Sequence, residues 1–482
     1  MAQFTPKKTI TNKLLWIFAV GQFGWSLLSG IISTWLVHLY TGVHSPGETN
    51  GIFGLFITQN PILASVTLFG LITMVGRLFD AVTDPLVASW SDRAAFKGGR
   101  RIPFLRAAAI PFALVTVAVF VLPQTESLAA NNAIMFALLM LFYLLMTIYC
   151  TPYNALIAEL GDTQKHRINV STYISFTYIA GFSLATLVPS LSGALEGMAG
   201  SQENALRIAI GIMCALAAVA MLVPALYIRE RDYIEGKPVQ SPVFRSLVLT
   251  YRNRQFRRFV YADVIYFFAV TLFQTGLADF ETRLMLIPAE NTFLLTVVMT
   301  VVSLCLYPLV NRLAPRLGKK RIIVVGFFAY AAVFFITSVA GTGMSWGFLV
   351  AVTAGIPMAI LGILPQACVA DVSELNTLET GEDRSGMFFA ARTFAMKLGQ
   401  ALSMLIYTSI TAAAVAIVQA HTDGAGVEQL SQELQLQIQG PYRTAAAVAT
   451  VACLIGAVLF LFYNEREILS KIGALRGGEA DA

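Results

Sequence analysis

The segment Gly76-Arg77-Leu78-Phe79-Asp80-Ala81-Val82-Thr83-Asp84-Pro85 sets two carboxylates and a hydroxyl inside an otherwise apolar run. Residues four apart on a helix are separated by about 40°, so Asp80 and Asp84 share one face. With Thr83 beside them they offer hard oxygen ligands for Na⁺. Alternatively one of them carries a proton, because two like charges held close do not both ionise readily. An ion pair between Arg77 and Asp80 that locks helices together is the competing reading. Enzyme chemistry finds no footing elsewhere. No glycine-rich phosphate loop followed by Lys-Ser/Thr is present, and His38, His44, His166 and His421 have no metal-ligand spacing. The five cysteines all sit in apolar runs, with no metal or disulfide pattern. The chain is therefore expected to have no catalytic set, no cofactor and no metal beyond Na⁺.

The elements that must hold these groups follow from composition. Of 482 residues 56% are hydrophobic and only 13% charged, against roughly 25% charged in an average soluble domain. A membrane-crossing helix needs about 20 apolar residues, and twelve would use about 240. Runs of that kind lie near 14–40, 62–90, 103–123, 131–158, 171–191 and 205–228, then near 257–283, 292–313, 321–341, 345–370, 385–418 and 441–464. The first is too long for a cleaved signal peptide and reads as a retained helix. With the N-terminus inside, cytoplasmic segments hold 27 of the 33 lysines and arginines, which puts both termini in the cytoplasm. The outer segment 43–61 is too short to span; it reads as a packed loop, or as an interfacial cap of the outer mouth.

Ionisable residues inside spans are costly and are site candidates by default. Lys397 and Arg392 lie in the eleventh span, five residues and about 140° apart, so both cannot point squarely into one cavity. Lys397 and Asp80 each lie about 18 Å from the cytoplasmic end of their spans at 1.5 Å per residue, near the midplane. That common depth suits a lysine facing the carboxylate pair across a central cavity. Asp263 in the seventh span is either a cavity group or the partner of Arg257 or Arg258. Asp279, Glu281 and Arg283 at the outer end of that span read as interfacial or gate residues.

The two sets of six spans repeat. Asp92-Arg93-x5-Gly99-Arg100-Arg101-Ile102 after the second span and Asn311-Arg312-x5-Gly318-Lys319-Lys320-Arg321-Ile322 after the eighth are 219 residues apart. Arg167 and Arg384 stand 217 apart in the same sense. The spacing predicts a parallel two-fold repeat of six-helix bundles, 1–230 and 257–482, joined by a cytoplasmic linker at 231–256. Asp92, Arg93, Arg100 and Arg101 read as gating residues; Glu159 with Arg167, and Asp371 with Arg384, read as latches between helices.

Asp80-Ala-Val-Thr-Asp84-Pro85, Ser91-Asp92-Arg93 and Gly99-Arg100-Arg101-x-Pro103-Phe104 resemble the glycoside–pentoside–hexuronide:cation symporter family, melibiose-carrier-like members of the major facilitator superfamily. Pro152-Tyr153-Asn-Ala155-Leu156-x-x-Glu159 with Arg167, and Asp371 through Gly381-Glu-Asp-Arg384-x-Gly386 with Lys397-x-Gly399, resemble its other signatures. The resemblance implies a cation site on Asp80 and Asp84 with Thr83 and Thr147, and a coupling role for Lys397. The family's first-span acidic position falls on Ser26, beside Trp25. Its fourth-span aspartate and tryptophan fall on Cys150 and Asn154, and its fifth-span arginine on Ile174; the resemblance thereby implies Ser26, Trp25, Cys150 and Asn154 as the substrate positions of the first half, beside Lys397, Arg392 and Asp263 in the second. Animal lysolipid symporters share the Asp-x3-Asp-Pro segment and also use that arginine.

The reading is an all-α polytopic membrane protein with twelve transmembrane helices, and not an enzyme. It is expected to be a secondary transporter in the cell (inner) membrane that couples Na⁺ or H⁺ to symport of a sugar or sugar acid by alternating access. Its partners are a small-molecule substrate and the lipid bilayer, with no nucleic acid, and the chain is expected to be monomeric. The alternatives are a lysolipid or amphiphile symporter and a non-transporting membrane sensor.

Overall fold

The computed structural model of the protein describes residues 11–41, 51–58, 61–63, 66–94, 96, 99–160, 164–233, 250–380, 385–422 and 432–480. The described chain is almost wholly helical. The helices of the first half are α1 (Asn12–Tyr40), α2 (Leu68–Arg93), α3 (Ile102–Val121), α4 (Leu128–Leu160), α5 (Gln164–Ala185), α6 (Val188–Ala199), α7 (Gln202–Tyr227) and the single turn α8 (Glu230–Tyr233). Those of the second are α9 (Arg254–Asp279), α10 (Thr292–Leu317), α11 (Lys319–Val339), α12 (Met344–Thr380), α13 (Ser385–Thr422), α14 (Gln432–Phe460) and α15 (Glu465–Ala480).

Among the described residues nine helices are long and apolar enough to cross a membrane, and α5 with α6 makes a tenth span bent by 43°. The helices α2 and α13, 26 and 38 residues long, carry Arg77, Asp80 and Asp84, and Arg392 and Lys397. Each of the twelve apolar runs thus has its helix, with two changes of boundary. The second span starts at Leu68, because Pro61–Leu63 and Val66–Thr67 form a small antiparallel pair, β1 and β2. The Thr67 hydroxyl then accepts from the Gly70 N–H and caps α2. The fifth span breaks after Ala185: Pro189 opens α6, and the Trp35 indole donates to the Ala185 carbonyl at 2.7 Å, satisfying an acceptor that the break leaves over.

The described part of 43–61 is a packed loop. Ile52, Phe53 and Ile57 are buried, and the Phe53 ring lies 5.4 Å from that of Tyr40 and 6.3 Å from that of Phe120. Residues 42–50 and 59–60 lie outside the described residues.

The chain divides into two compact units. One is Met1–Ser241 with Ala289–Phe293 and Thr422–Gln429; the other is Pro242–Pro288, Leu294–His421 and Leu430–Ala482. Most of the expected linker, 234–249, lies outside the described residues. In the first unit α1 packs on α5 and α7, α2 on α4, and α3 on α4 and α7. In the second α9 packs on α14, and α11 on α12 and α14. The two inventories correspond: first helix of the half on last, third on fourth and last.

The repeated basic loops have a common device. In the first unit the Glu230 carboxylate accepts from the main-chain N–H groups of Arg100 (2.9 Å), Arg101 (2.7 Å) and Ile102 (3.1 Å), at the start of α3. In the second, Glu465 accepts from Lys319 (2.9 Å) and Lys320 (2.8 Å), at the start of α11. A carboxylate there satisfies unpaired N–H groups and meets the positive end of the helix dipole. Gly99 (φ +117°) and Gly318 (φ +86°) make the preceding turn, a conformation that favours glycine. A Cβ at Gly99 would come within 2.4 Å of Glu230 Oε2. The spacing Gly-basic-basic is therefore a helix-capping site, and its acidic partner comes from the end of the same half.

Candidate cation and substrate site

Helices α2 and α4 meet along a short ladder of carboxylates and hydroxyls. Asp80 is fully buried, and its Oδ1 accepts from the Thr147 hydroxyl at 2.7 Å. One turn on, Asp84 Oδ1 accepts from the Thr151 hydroxyl at 3.1 Å. The Thr83 hydroxyl lies 3.3 Å from that of Thr147 and donates to the Asp80 main-chain carbonyl at 3.2 Å. The i, i+4 spacing on each helix aligns the two pairs. Pro85 and Pro152 follow the outer members of the ladder directly. Lacking an N–H, each proline leaves the carbonyl four residues earlier, on Ala81 and on Ile148, without its helical donor. Carboxylates, hydroxyls and released carbonyls are the donors that an alkali cation takes. Arg77 is buried beside this group, its guanidinium 5.1 Å from the centre of the Tyr143 ring.

Thr83 and Thr147, both expected near the carboxylates, lie together in this ladder. Thr151 was missed, although its spacing from Thr147 repeats that of Asp84 from Asp80 and is visible in the sequence. Tyr153 and Tyr149 on α4 are fixed by hydroxyl donation to the Phe18 and Met221 carbonyls at 2.7 and 3.0 Å, which ties the ladder's helix to α1 and α7.

The expected substrate residues of the first unit differ in burial and in partners. Ser26 is fully buried between α1 and α5, with its hydroxyl given to the Phe23 carbonyl at 3.0 Å. A Cβ at Gly181 would meet Ser26 Oγ at 2.2 Å, so this pair sets the close approach of two helices, in place of the ligand contact expected. Trp25 is half-buried, with its indole donating to Gln22 at 3.2 Å and its ring 5.6 Å from that of Tyr178. Cys150 is half-buried and Asn154 exposed, four apart on α4.

In the second unit Asp263 and Arg392 are joined to each other. Arg392 Nε and Nη2 donate to the two carboxylate oxygens at 2.8 and 3.0 Å, and both residues are buried. The guanidinium also lies over the rings of Phe267 (5.4 Å) and Phe259 (6.0 Å). Of the two alternatives for Asp263, a cavity group or a pair with Arg257 or Arg258, the second gives way to this pair with Arg392. Arg392 lies on α13, which packs so tightly on α9 that a Cβ at Gly399 would meet the Val264 carbonyl at 2.4 Å. A buried guanidinium takes the nearest buried carboxylate. Lys397 is buried on the same helix.

Asp371 pairs with the Lys319 ammonium, tying α12 to the start of α11. Arg384 lies outside the described residues, as do the side chains of Asp92, Arg93, Glu159 and Arg167. Arg100 and Arg101 contribute through main-chain N–H groups to Glu230. Asp279, Glu281 and Arg283 are buried, which removes the interfacial reading.

A multi-span helical protein with a carboxylate–hydroxyl ladder inside one bundle has the build of a membrane transporter. Residues 17–465 match the family model of MFS/sugar transport proteins, and the chain is a member of that family within the major facilitator superfamily. It is 25% identical over 452 residues to the sodium-dependent lysophosphatidylcholine symporter 1-A of Danio rerio, covering 86% of this chain and 80% of that protein. It is 23% identical over 482 residues to an uncharacterized symporter of Synechocystis, covering 83% and 85%. Among solved structures it resembles a bacterial homologue of the human lysosomal transporter Spinster, with TM-score 0.64 and 15% identity over 95% of this chain and 97% of that one.

Proposed function

We propose that this transporter couples Na⁺ to the symport of a small organic solute, a sugar or sugar acid, by alternating access in the cell membrane. The observation that carries it is the α2–α4 ladder, in which Asp80 and Asp84 each face a threonine hydroxyl. Na⁺ is favoured over H⁺ because a proton needs one carboxyl, whereas the ladder supplies several oxygens together. Sodium dependence in the names of relatives supports the same choice. Lys397 is the proposed coupling lysine. Arg392 is left out of the substrate set because Asp263 already neutralises it.

A second reading, an amphiphile substrate, has its own observation. Trp16 and Tyr173 stack at 4.3 Å with Phe176 edge-on at 6.3 Å, and Trp16 and Phe176 are 42% and 59% exposed. Such a face suits an acyl chain as well as a sugar ring. A thermal-shift screen of purified protein against sugars, uronates and lysolipids, with and without Na⁺, separates the readings, since a ligand of the native state raises the unfolding temperature. Na⁺ should stabilise the wild type, and Asp80→Asn and Asp84→Asn should abolish that shift and gradient-driven uptake. Normal sodium dependence in both variants rules the site out.

A further inference from the structure

The second unit holds a buried carboxyl that the cation reading does not use. Helix α9 ends at Asp279 and continues as a five-residue π-helical turn, Phe280–Leu284, followed by Leu286 at φ +53°. Wide turns of this kind and left-handed non-glycine residues cost energy and mark places where the fold imposes a local shape. Glu281 lies in this turn and is only 5% exposed. Its side chain lines a cavity of about 10 Å³, the size of one water molecule. The walls are Phe273 and Leu277 of α9, Thr296 and Met299 of α10, and Val350 of α12. Glu281 Oε2 and Thr296 Oγ1 are both buried without a hydrogen-bond partner among the described residues.

The charged groups nearby are committed elsewhere or sit on the same turn. Neither α10 nor α12 brings a charged residue to the cavity wall. On α13, Tyr407 gives its hydroxyl to Asp279. Helix α14 also packs on the turn, and its Arg443 is bonded to the Ser338 and Ala340 carbonyls and to Gln439. Arg283, two residues on, is itself buried in the turn. An ionised carboxylate with a buried, unpaired oxygen among mostly apolar walls is far costlier than the neutral acid. Sodium is a poor occupant: the wall side chains supply oxygen only from Glu281 and Thr296, short of the coordination an alkali cation takes.

We propose that Glu281 is a proton-binding site of the second unit, separate from Asp80 and Asp84, which holds one proton while its side chain occupies this cavity. Proton loss turns the side chain out of the cavity and releases the π-helical turn, so the outer end of α9 responds to pH. The inference does not depend on the identity of the coupling cation.

The test uses purified full-length protein in lipid nanodiscs, with protons as the only ligand. Infrared spectroscopy should show a carboxylic-acid carbonyl band that persists at pH values where exposed carboxylates are ionised, and E281Q should lose it. The unfolding temperature of the wild type should fall relative to E281Q as pH rises, because glutamine stays neutral. An unchanged band in E281Q, or unfolding temperatures that run parallel over the pH range, overturns the proposal. If E281Q does not fold, T296V carries the test, since valine keeps the shape of threonine and takes a polar atom out of the cavity wall. An ionised carboxylate is then costlier still, so in T296V the acid band should persist to higher pH than in the wild type; a band that titrates as in the wild type overturns the proposal.

Discussion

Hydroxyl and carboxylate contacts on single residues divide the chemistry of this transporter between its units. On α4, Thr151 matters because it supports Asp84 as Thr147 supports Asp80. Removing one neutral hydroxyl costs about 1 kcal/mol, so Thr151→Val should weaken the Na⁺ half-saturation of uptake roughly five-fold. An unchanged half-saturation in Thr147→Val and Thr151→Val alike would separate the threonines from the ion. Asp263 and Arg392 behave differently, since neither is spare. Asp263→Ala strands a buried guanidinium and should destabilise the protein by about 3–5 kcal/mol, while replacing both with apolar residues of similar size should recover most of that loss. Thermal unfolding of the single and double variants in detergent measures the difference.

Helices are joined here by contacts that leave no room for side chains, and by carboxylates at their ends. Gly181→Ala drives a methyl into Ser26 and the Phe23 carbonyl. Main-chain atoms cannot step aside, so a loss of about 1–3 kcal/mol is expected from overpacking. The caps make a paired prediction. Glu230→Ala removes three N–H···carboxylate bonds from the start of α3, and Glu465→Ala two from the start of α11. Each should cost about 2 kcal/mol, with the glutamine variants retaining part of it. Equal stability of the alanine variants and the wild type would show that the caps are incidental.

At the scale of the whole molecule, orientation is the testable quantity. The distribution of lysine and arginine predicts that both termini are cytoplasmic. Single cysteines placed near either end should react with a membrane-impermeant maleimide only after the cells are opened, and labelling of intact cells contradicts the assignment. The native thiols need removal first; Cys305 is exposed on α10.

The sequence alone determined the helical class and the approximate places of the long helices, and it set Asp80 and Asp84 on one face of α2. Apolar run length, i, i+4 spacing and fixed offsets are properties of one dimension, and the membrane makes them strict. Tertiary structure decided which helix faces which. It gave Asp263 to Arg392, Asp371 to Lys319, and the basic loops to Glu230 and Glu465. It turned Ser26 toward Gly181 and buried Glu281 in an apolar cavity. Partners 129 or 146 residues apart leave no periodic trace. A buried charge takes whatever opposite group packing brings within reach, and only the folded bundle fixes that choice.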